Sequence, residues 1–448
     1  MDFSECYQHT CSAVALAARE GNHSLVSKLI QKGYSADVSD NRGWNPLHEA
    51  AFRGSYECVR TLIKAASSSR RRRDYVNSPA HDSTTPLLLA AQKGHARVAK
   101  VLLRAGADAN RATDDDTSPL FAAVSGGHME VVELLARNGA EVDRAHSVSR
   151  WSCLHQAAFK GHAEIVRLLA GVARVNAVDD FEITPLFVAA QYGQRRCLEI
   201  LADAGANVNC QSHDLATPML IASQEGHLNC VEALLDRGAD PNLYCNEEKW
   251  QLPVHAAAEF GHVRVLERLL AVTDRVCDRG AGKVSPVYSA VLRGQAETLR
   301  VLLREGYSPD AQECPAYGYS SPLAAALCTS AMSFEKARSD VLCFFLEFTN
   351  WKMLPPSLRL ILSHRQAEST WNQQQQFDSP PSLCHLCRLA VRGVVGSEAL
   401  ARGVLARRLP VPPLLQDYLR FADAFAPRHL PKQRPPGERE YLGYDGPE

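Results

Sequence analysis

The amino-acid sequence predicts an all-α solenoid, because two patterns recur along it at one fixed spacing. A Thr-Pro or Ser-Pro opening returns at steps of 33 residues, or twice 33, at Pro86, Pro119, Pro185 and Pro218. Glycines keep the same step at positions 106, 139, 205 and 238. A period of this length indicates a repeat array, in which each repeat buries its apolar face against its neighbours.

The residues of each repeat favour two short helices joined by a turn. Proline suits the first helical position, where its missing N–H costs no hydrogen bond, and the Thr or Ser before it can cap the helix. An Ala-Ala pair then lets the next helix approach closely, and a glycine supplies a permissive turn. The fullest openings are Asn-Pro-Leu-His-Glu-Ala-Ala at 45–51 and Leu-Pro-Val-His-Ala-Ala-Ala at 252–258. A period of 33 with this opening is typical of ankyrin repeats.

The repeats divide the chain into predicted segments. About eight ankyrin repeats are expected over residues 41–312, preceded by an ankyrin-like capping unit at 1–40 that has no proline at its opening. Residues 313–378 are expected to form a degenerate repeat and connecting helices. The period breaks at 332–340, which suggests a shortened array. The array is a binding scaffold, and such a fold does not by itself name a ligand.

Composition favours a folded soluble protein and argues against several functional classes. Hydrophobic residues make up 46% of the 448 residues and charged residues 22%, and the net charge of −1 provides no general attraction for nucleic acid or anionic membrane. No apolar run approaches the roughly 20 residues that span a bilayer, and the N-terminus does not resemble a signal peptide. The 14 cysteines are scattered, which favours reduced thiols in the cytoplasm, with the nucleus also open.

Histidines recur at two positions of the repeat, and that recurrence favours a structural role. His48, His155 and His255 occupy the helix opening, and another set follows the turn glycine at positions 95, 128, 162, 227 and 262. No Ser/His/Asp or Cys/His arrangement stands out from this periodicity. The sequence therefore predicts no catalytic residue, no metal site and no cofactor.

Aromatic residues in the loops before the helices are candidates for contact with a partner. These candidates are Trp44, Trp151, Phe181 and Trp250. Ankyrin loops at these places project as fingers, and an aromatic side chain there can anchor a partner. Packing of each tryptophan against the neighbouring finger explains the tryptophans equally well, and both interpretations stay open.

An insertion lengthens one repeat and carries four consecutive arginines at 70–73. The run could be a nuclear signal or a contact for an acidic partner. The 40 residues from Pro46 to Pro86, seven more than one period, favour a solvated loop.

The C-terminal region contains an amphipathic stretch. Its apolar residues fall at helical spacing on one stripe: Leu383, Leu386, Cys387, Ala390 and Val391. Because this region provides little core of its own, the stripe is expected to be covered by a partner, and it could also cap the array. The Cys-x-x-Cys at 384–387 has neither the second ligand pair of a zinc site nor the βαβ context of a redox motif.

Residues 382–391 resemble the elongin-binding box of a SOCS box, and residues 409–415 (Leu-Pro-Val-Pro-Pro-Leu-Leu) resemble the cullin box that follows it. Ankyrin repeats followed by both boxes resemble the ankyrin repeat and SOCS box family. The resemblance implies a small three-helix SOCS box at 379–425, with residues 426–448 as a flexible tail.

The resemblance also implies a function, that of a substrate-recognition adaptor of a cullin-5 RING ubiquitin ligase. Leu383 would enter a pocket of elongin C, which pairs with elongin B, and Leu386, Cys387 and Val391 would pack beside it. The residues expected to contact cullin 5, which carries the RING subunit, are Leu409, Pro410, Pro412 and Leu415. The repeats would hold an unidentified protein substrate for ubiquitination and proteasomal degradation, and this chain would not be an enzyme. The alternative is an ankyrin scaffold with no role in ubiquitination.

Overall fold

The computed structural model of the protein describes residues 11–66, 69–146, 149–245, 251–274 and 285–307, together with residue 390. Within these ranges the chain forms helices and no strand, and the only extended pairs are two isolated bridges, His146–Trp151 and Cys245–Gln251. The all-α prediction is confirmed there. The chain divides into two compact units: one is Met1–Arg293 with Cys314–Gly318, and the other is Gly294–Glu313 with Tyr319–Glu448.

The first compact unit contains two layers of helices. The first helices of the repeats are α1 (Ala13–Arg19), α3 (Pro46–Arg53), α6 (Pro86–Gln92), α8 (Pro119–Ser125), α10 (Cys153–Lys160), α12 (Pro185–Gln191), α14 (Pro218–Gln224), α16 (Pro253–Phe260) and α18 (Pro286–Leu292). The second helices are α2 (His23–Gln31), α4 (Tyr56–Ala65), α7 (Ala96–Arg104), α9 (Met129–Arg137), α11 (Ala163–Ala170), α13 (Arg195–Asp203), α15 (Leu228–Asp236) and α17 (Val263–Leu270), and α5 (Ser69–Val76) is an additional helix. Each helix packs on its counterpart in the next repeat. In the second compact unit the described helix is α19 (Ala296–Arg304).

The helix openings form as the sequence predicts. The side-chain oxygens of Thr85, Ser118, Thr184 and Thr217 each accept a hydrogen bond from the backbone N–H three residues later. A proline follows each of these caps as the first helical residue. Each such cap contributes about 1 kcal/mol, so the Thr-Pro or Ser-Pro pair fixes where these four first helices begin.

The turn between the two helices of a repeat requires glycine for two reasons. Gly94 has a φ of 75°, and a Cβ at this position would lie 2.5 Å from Nδ1 of His128 in the next repeat. The close approach lets the His128 ring reach the carbonyl oxygen of Gln92, which lies 3.0 Å from its Nε2. The equivalent bonds join His95 to Phe52, His227 to Gln191 and His262 to Gln224. These four histidines therefore connect consecutive repeats.

Asparagine side chains at 33-residue steps form hydrogen bonds to the next repeat, and this asparagine ladder also connects the repeats. It was not predicted from the sequence. Asn110 accepts a hydrogen bond from the backbone N–H of Glu141 (2.8 Å) and donates one to the carbonyl oxygen of Gly139 (2.9 Å). The same bond to a backbone N–H in the next repeat is made by Asn77, Asp143, Asn176, Asn209 and Asn242. These side chains provide hydrogen-bond acceptors for backbone N–H groups in the loops that follow the second helices.

The described part of the insertion, residues 69–76, is not the solvated loop that the length of this repeat suggested. Residues 69–76 form the helix α5, and Val76 is fully buried. The hydroxyl of Tyr75 donates a hydrogen bond to the carbonyl oxygen of Ala36 at 2.7 Å. Arg70, Arg71 and Arg73 remain exposed. The C-terminal end of α5 therefore anchors the insertion, while most of its arginines face solvent.

Candidate protein-binding surface

The fingers are the loops that precede the first helices, at residues 40–45, 79–85, 113–118, 149–152, 179–184 and 212–217. One residue in each has positive φ, at Gly43, Ser83, Asp116, Arg150, Glu182 and Leu215. Backbone hydrogen bonds join neighbouring fingers, from His81 to Arg42, from Asp114 to Asp82 and from His213 to Phe181. Consecutive fingers therefore hold one another in place and can present side chains as a continuous row.

Trp44 lies in the first of these fingers and packs on its own helix. Its ring stacks on His48, with ring centroids 6.1 Å apart, and lies 5.6 Å from the ring of Phe52. The guanidinium of Arg42 lies 4.2 Å from the centroid of the indole. Trp44 remains half-buried, and 38% of Phe52 is exposed.

An ion-pair network fixes Arg42 beside Trp44. One guanidinium nitrogen lies 2.7 Å from Asp40 Oδ2 and 2.7 Å from Glu49 Oε1, and Arg19 reaches the same Glu49 oxygen at 2.8 Å. Burial alone would raise the pKa of Asp40, but hydrogen bonds from the Arg42 side chain and from the backbone of Trp44 and Arg42 lower it overall. Asp40 therefore stays ionised and keeps this finger rigid.

Trp151 repeats the same arrangement in a later repeat. It stacks on His155 at 6.0 Å and meets Phe159 edge-on at 5.7 Å, and Phe159 in turn meets Tyr192 at 4.6 Å. The indole N–H of Trp151 donates a hydrogen bond to Asp179 Oδ2, 3.1 Å away in the next finger. Both tryptophans thus begin a Trp, His, Phe series at steps of four residues. The two tryptophans were predicted from the sequence as candidate contacts, but Phe52 and Phe159 were not. The spacing of four residues could have identified both phenylalanines.

Phe181 differs from the two tryptophans because it stands free at the tip of its finger. Its side chain is 60% exposed, whereas the Asp179 carboxylate organises the loop beneath it by accepting hydrogen bonds from the N–H groups of Phe181 and Ile183. An exposed aromatic ring on an ordered loop is suited to contact a partner. Trp250, the fourth candidate, lies outside the described residues.

The buried histidines and cysteines make structural contacts. His48 accepts a hydrogen bond from the N–H of Asn45 at Nδ1, and its Nε2 lies 3.2 Å from the carbonyl oxygen of Thr84 in the next repeat. Burial lowers the pKa of His48 to about 4, so the ring is neutral. His155 makes the same pair of bonds, to Ser152 and Ile183. Burial also raises the pKa of the Cys153 thiol to about 12.

The described residues contain neither a metal-binding cluster nor a helix that could cross a membrane. No three or more His, Cys, Asp or Glu side chains lie together as they would around a metal ion. No helix in these ranges has the length and apolar character needed to cross a membrane.

The residues predicted to dock elongin and cullin lie outside the described residues. This applies to Leu383, Leu386, Cys387 and Val391 of the first box and to Leu409, Pro410, Pro412 and Leu415 of the second. Ala390, within the first box, is helical and exposed. The assignment of this region therefore depends on its sequence.

Comparison with protein families finds matches in two parts of the chain. A family model of ankyrin repeats matches residues 2–72, 69–146, 87–179, 154–245 and 219–313, and a SOCS box model matches residues 379–420. Ankyrin repeat and SOCS box protein 3 of Bos taurus is 43% identical over 518 positions, covering 96% of this chain and 98% of that protein. The chain belongs to the ankyrin repeat and SOCS box family. The Homo sapiens protein of the same name is 42% identical over 516 positions, covering 96% of this chain and 99% of that protein.

Membership of the ankyrin repeat and SOCS box family confirms the predicted ankyrin-repeat fold with a SOCS box at its C-terminal end, and it supports a substrate-adaptor role in a cullin–RING ligase. Among solved structures, the ankyrin repeat domain of human ASB11 matches 52% of this chain and 100% of that chain, with 26% identity and a TM-score of 0.46.

The alignment with the bovine protein contains 518 positions, whereas 96% of the 448 residues of this chain is about 430 residues. The bovine protein therefore has residues at about 88 positions where this chain has none. That difference equals two to three repeats of 33.

Proposed function

We propose that this chain is the substrate-recognition adaptor of a cullin-5 RING ubiquitin ligase. The observation that carries the proposal is the SOCS box match at 379–420, which follows ankyrin repeats matched over residues 2–313. One part of the chain would hold the substrate and the other would recruit the ligase. The conjugation chemistry would belong to the RING subunit and the conjugating enzyme, because this chain needs only two binding surfaces for the role.

Elongin C, paired with elongin B, is the proposed partner of the apolar stripe at residues 383–391. Leu383, Leu386, Cys387 and Val391 fall at i, i+3, i+4 and i+8, so a helix places them on one face. Burial of a leucine side chain such as that of Leu383 contributes about 1.5–3 kcal/mol, so a pocket that encloses it would provide much of the affinity. The proposed box extends from 379 to 425.

Cullin 5 is the proposed partner of the proline-rich strip that follows. Pro410 and Pro412 restrict the backbone between Leu409 and Leu415, and a restricted segment loses less entropy on binding. Leu409 and Leu415 would add apolar contacts on either side of these prolines. The strip would therefore bind as a preformed edge next to the elongin-binding helix.

The substrate is proposed to bind along the fingers and the first helices. Trp44 and Trp151 are held by stacking and hydrogen bonds, so they would lose little side-chain entropy when a partner covers their remaining exposed edges. Phe181 offers the most exposed aromatic ring of the three, and Trp250 is proposed to lie on the same surface. The described cysteines form no disulfide bond with one another, in keeping with the proposed cytoplasmic location.

Co-purification with elongins B and C tests the proposal. The wild-type chain should retain both elongins, and Leu383→Pro combined with Cys387→Phe should abolish their recovery, because these changes break the helix and its apolar stripe. Arg388→Gln combined with Arg392→Gln provides a matched control, since both arginines lie off the stripe. If the wild type and the Leu383→Pro/Cys387→Phe double variant recovered equal amounts of elongins B and C, the proposal would be contradicted.

A further inference from the structure

A cavity of about 490 Å³ opens between the fingers of three consecutive repeats. Trp44 and Phe52 form one apolar wall, and Leu88 and Leu89 of α6 line the cavity from the next repeat. The volume falls within the roughly 300–1,000 Å³ that small-ligand sites occupy. The cavity is therefore large enough to receive a long side chain from a bound protein.

The rim of this cavity carries negative charge that no described cation neutralises. Asp82, Asp114 and Asp115 line the cavity, and all three are exposed. None of the three forms an ion pair with another residue in the described part of the chain, whereas the adjacent Asp116 is paired with Arg144 at 3.3 Å. A hydrogen bond from the Thr113 side chain lowers the pKa of Asp115, so this carboxylate remains ionised at neutral pH.

The cations beside the cavity are attached to other groups. Arg42 lies over Trp44 but is paired with Asp40 and Glu49, each at 2.7 Å. Lys93 Nζ lies 4.7 Å from the centroid of Phe52, and no ion pair joins it to the three rim aspartates in the described part of the chain. The cavity thus combines an aromatic and aliphatic wall with carboxylates that still lack a counter-charge.

We propose that this cavity, here called the aromatic-acidic pocket, is the subsite for an arginine side chain of the protein substrate. The inference rests on the proposed function, because the occupant is part of the substrate that the adaptor holds. Arginine matches both halves of the pocket: its alkyl stem packs on aromatic and aliphatic walls, and its planar fork of N–H groups donates to carboxylates. An anionic side chain would be repelled by the same carboxylates.

The expected contribution of the pocket is moderate and sensitive to salt. Its carboxylates face solvent, and ionic strength near 0.15 M screens exposed charges beyond about 8 Å. Hydrogen bonds from a guanidinium to carboxylates are charge-assisted and therefore stronger than hydrogen bonds between neutral groups. Loss of two rim charges should therefore weaken binding of an arginine-containing segment by about tenfold, which is 1.4 kcal/mol.

A selection of random dodecapeptides displayed on phage, carried out on the purified full chain, tests this inference. We expect enrichment of peptides that contain arginine beside an apolar residue. Synthetic versions of these peptides should bind the Asp114→Asn/Asp115→Asn variant about tenfold more weakly and should lose affinity as salt rises. Replacing the arginine by citrulline, which has a similar shape and no charge, should cause a comparable loss. Asp236→Asn, which removes an exposed carboxylate at the end of α15, should leave binding unchanged.

Two outcomes would overturn the inference. One is that the selection does not enrich arginine-containing peptides, whether it enriches other peptides or none at all. The other is arginine peptides that bind the wild type and the Asp114→Asn/Asp115→Asn variant equally. Because the peptide measurement involves neither elongin nor cullin, failure here leaves the adaptor proposal standing. Conversely, loss of elongin binding in the co-purification would leave the peptide result intact.

Discussion

The indole Nε1 of Trp151 donates a hydrogen bond to Asp179 Oδ2, 3.1 Å away in the next finger. The sequence left open whether such a tryptophan packs on a neighbouring finger or anchors a partner. Trp151 does pack, on His155 and Phe159 of its own repeat and on Asp179 of the next. Packing and partner contact are compatible, because the ring stays only half-buried and its position is already fixed.

Substitutions of Trp151 and Phe181 should differ in their effect on the free energy of unfolding. We predict that Trp151→Ala lowers the free energy of unfolding by about 2–3 kcal/mol, because it removes aromatic packing and a hydrogen bond. Phe181→Ser, at an exposed tip, should change stability by less than about 0.5 kcal/mol. Urea denaturation followed by circular dichroism measures both, and Trp151→Phe should show an intermediate loss. Equal effects of Trp151→Ala and Phe181→Ser would contradict the described packing.

The buried histidine His48 should make stability depend on pH. Its pKa is about 4 in the folded protein and about 6.5 in an unfolded chain, so the unfolded state binds more protons between these values. The stability that this residue contributes is therefore complete above about pH 6.5 and is lost as pH falls toward 4, by about 3 kcal/mol in all. Melting temperatures from pH 7 to pH 4.5 should fall more steeply in the wild type than in His48→Gln. Parallel slopes would show that His48 is not buried in a neutral form.

The asparagine ladder should contribute to the coupling between repeats. Asn110→Ala removes bonds to Gly139 and Glu141 and leaves backbone groups of the next repeat without protein partners, so we expect a loss of about 1–2 kcal/mol. Asn138→Ala is the matched control, because its exposed amide bonds only to Leu134 of its own helix. Urea midpoints of the two variants give the comparison. If Asn138→Ala destabilised the protein as much as Asn110→Ala, the ladder would have no special role.

Cysteine reactivity should report the packing of the second helices. Burial raises the pKa of Cys197 and Cys230 to about 11, and both side chains are 1% exposed or less. Because the thiolate is the reactive form, N-ethylmaleimide should not label these two residues in the native protein. Mass spectrometry of tryptic peptides measures the labelling, and protein in guanidinium chloride provides the fully labelled reference. Rapid native labelling of either residue would contradict its placement in the core.

The repeat pattern allowed much of this fold to be predicted, because its signals are local. Thr-Pro openings, turn glycines and apolar pairs each act within a few residues, and the helices begin where they indicate. The bonds of Asn110 were missed although Asn77, Asn110, Asn176, Asn209 and Asn242 share the same period. Their role depends on a partner about 30 residues away, which local propensity does not describe.

The insertion and the aromatic-acidic pocket were harder to predict for the same reason. An arginine run has no apolar periodicity, so the helix at 69–76 is indicated only by Tyr75 and Val76, whose burial depends on the rest of the fold. The pocket joins Trp44, Phe52, Leu88 and Asp114 from three repeats. The SOCS box could be identified from the sequence alone, because the order of residues in its two motifs is sufficient to identify it.

The most direct test of the adaptor account is the native mass of the complex that the full chain forms with elongin B, elongin C and cullin 5. The account predicts one assembly that contains a single copy of each of the four proteins. A chain carrying Leu409→Ala, Pro410→Ala and Pro412→Ala should still bind the elongins and should lose cullin 5. Wild-type chain that remains alone, or that binds cullin 5 as well with these three substitutions as without them, would contradict the account.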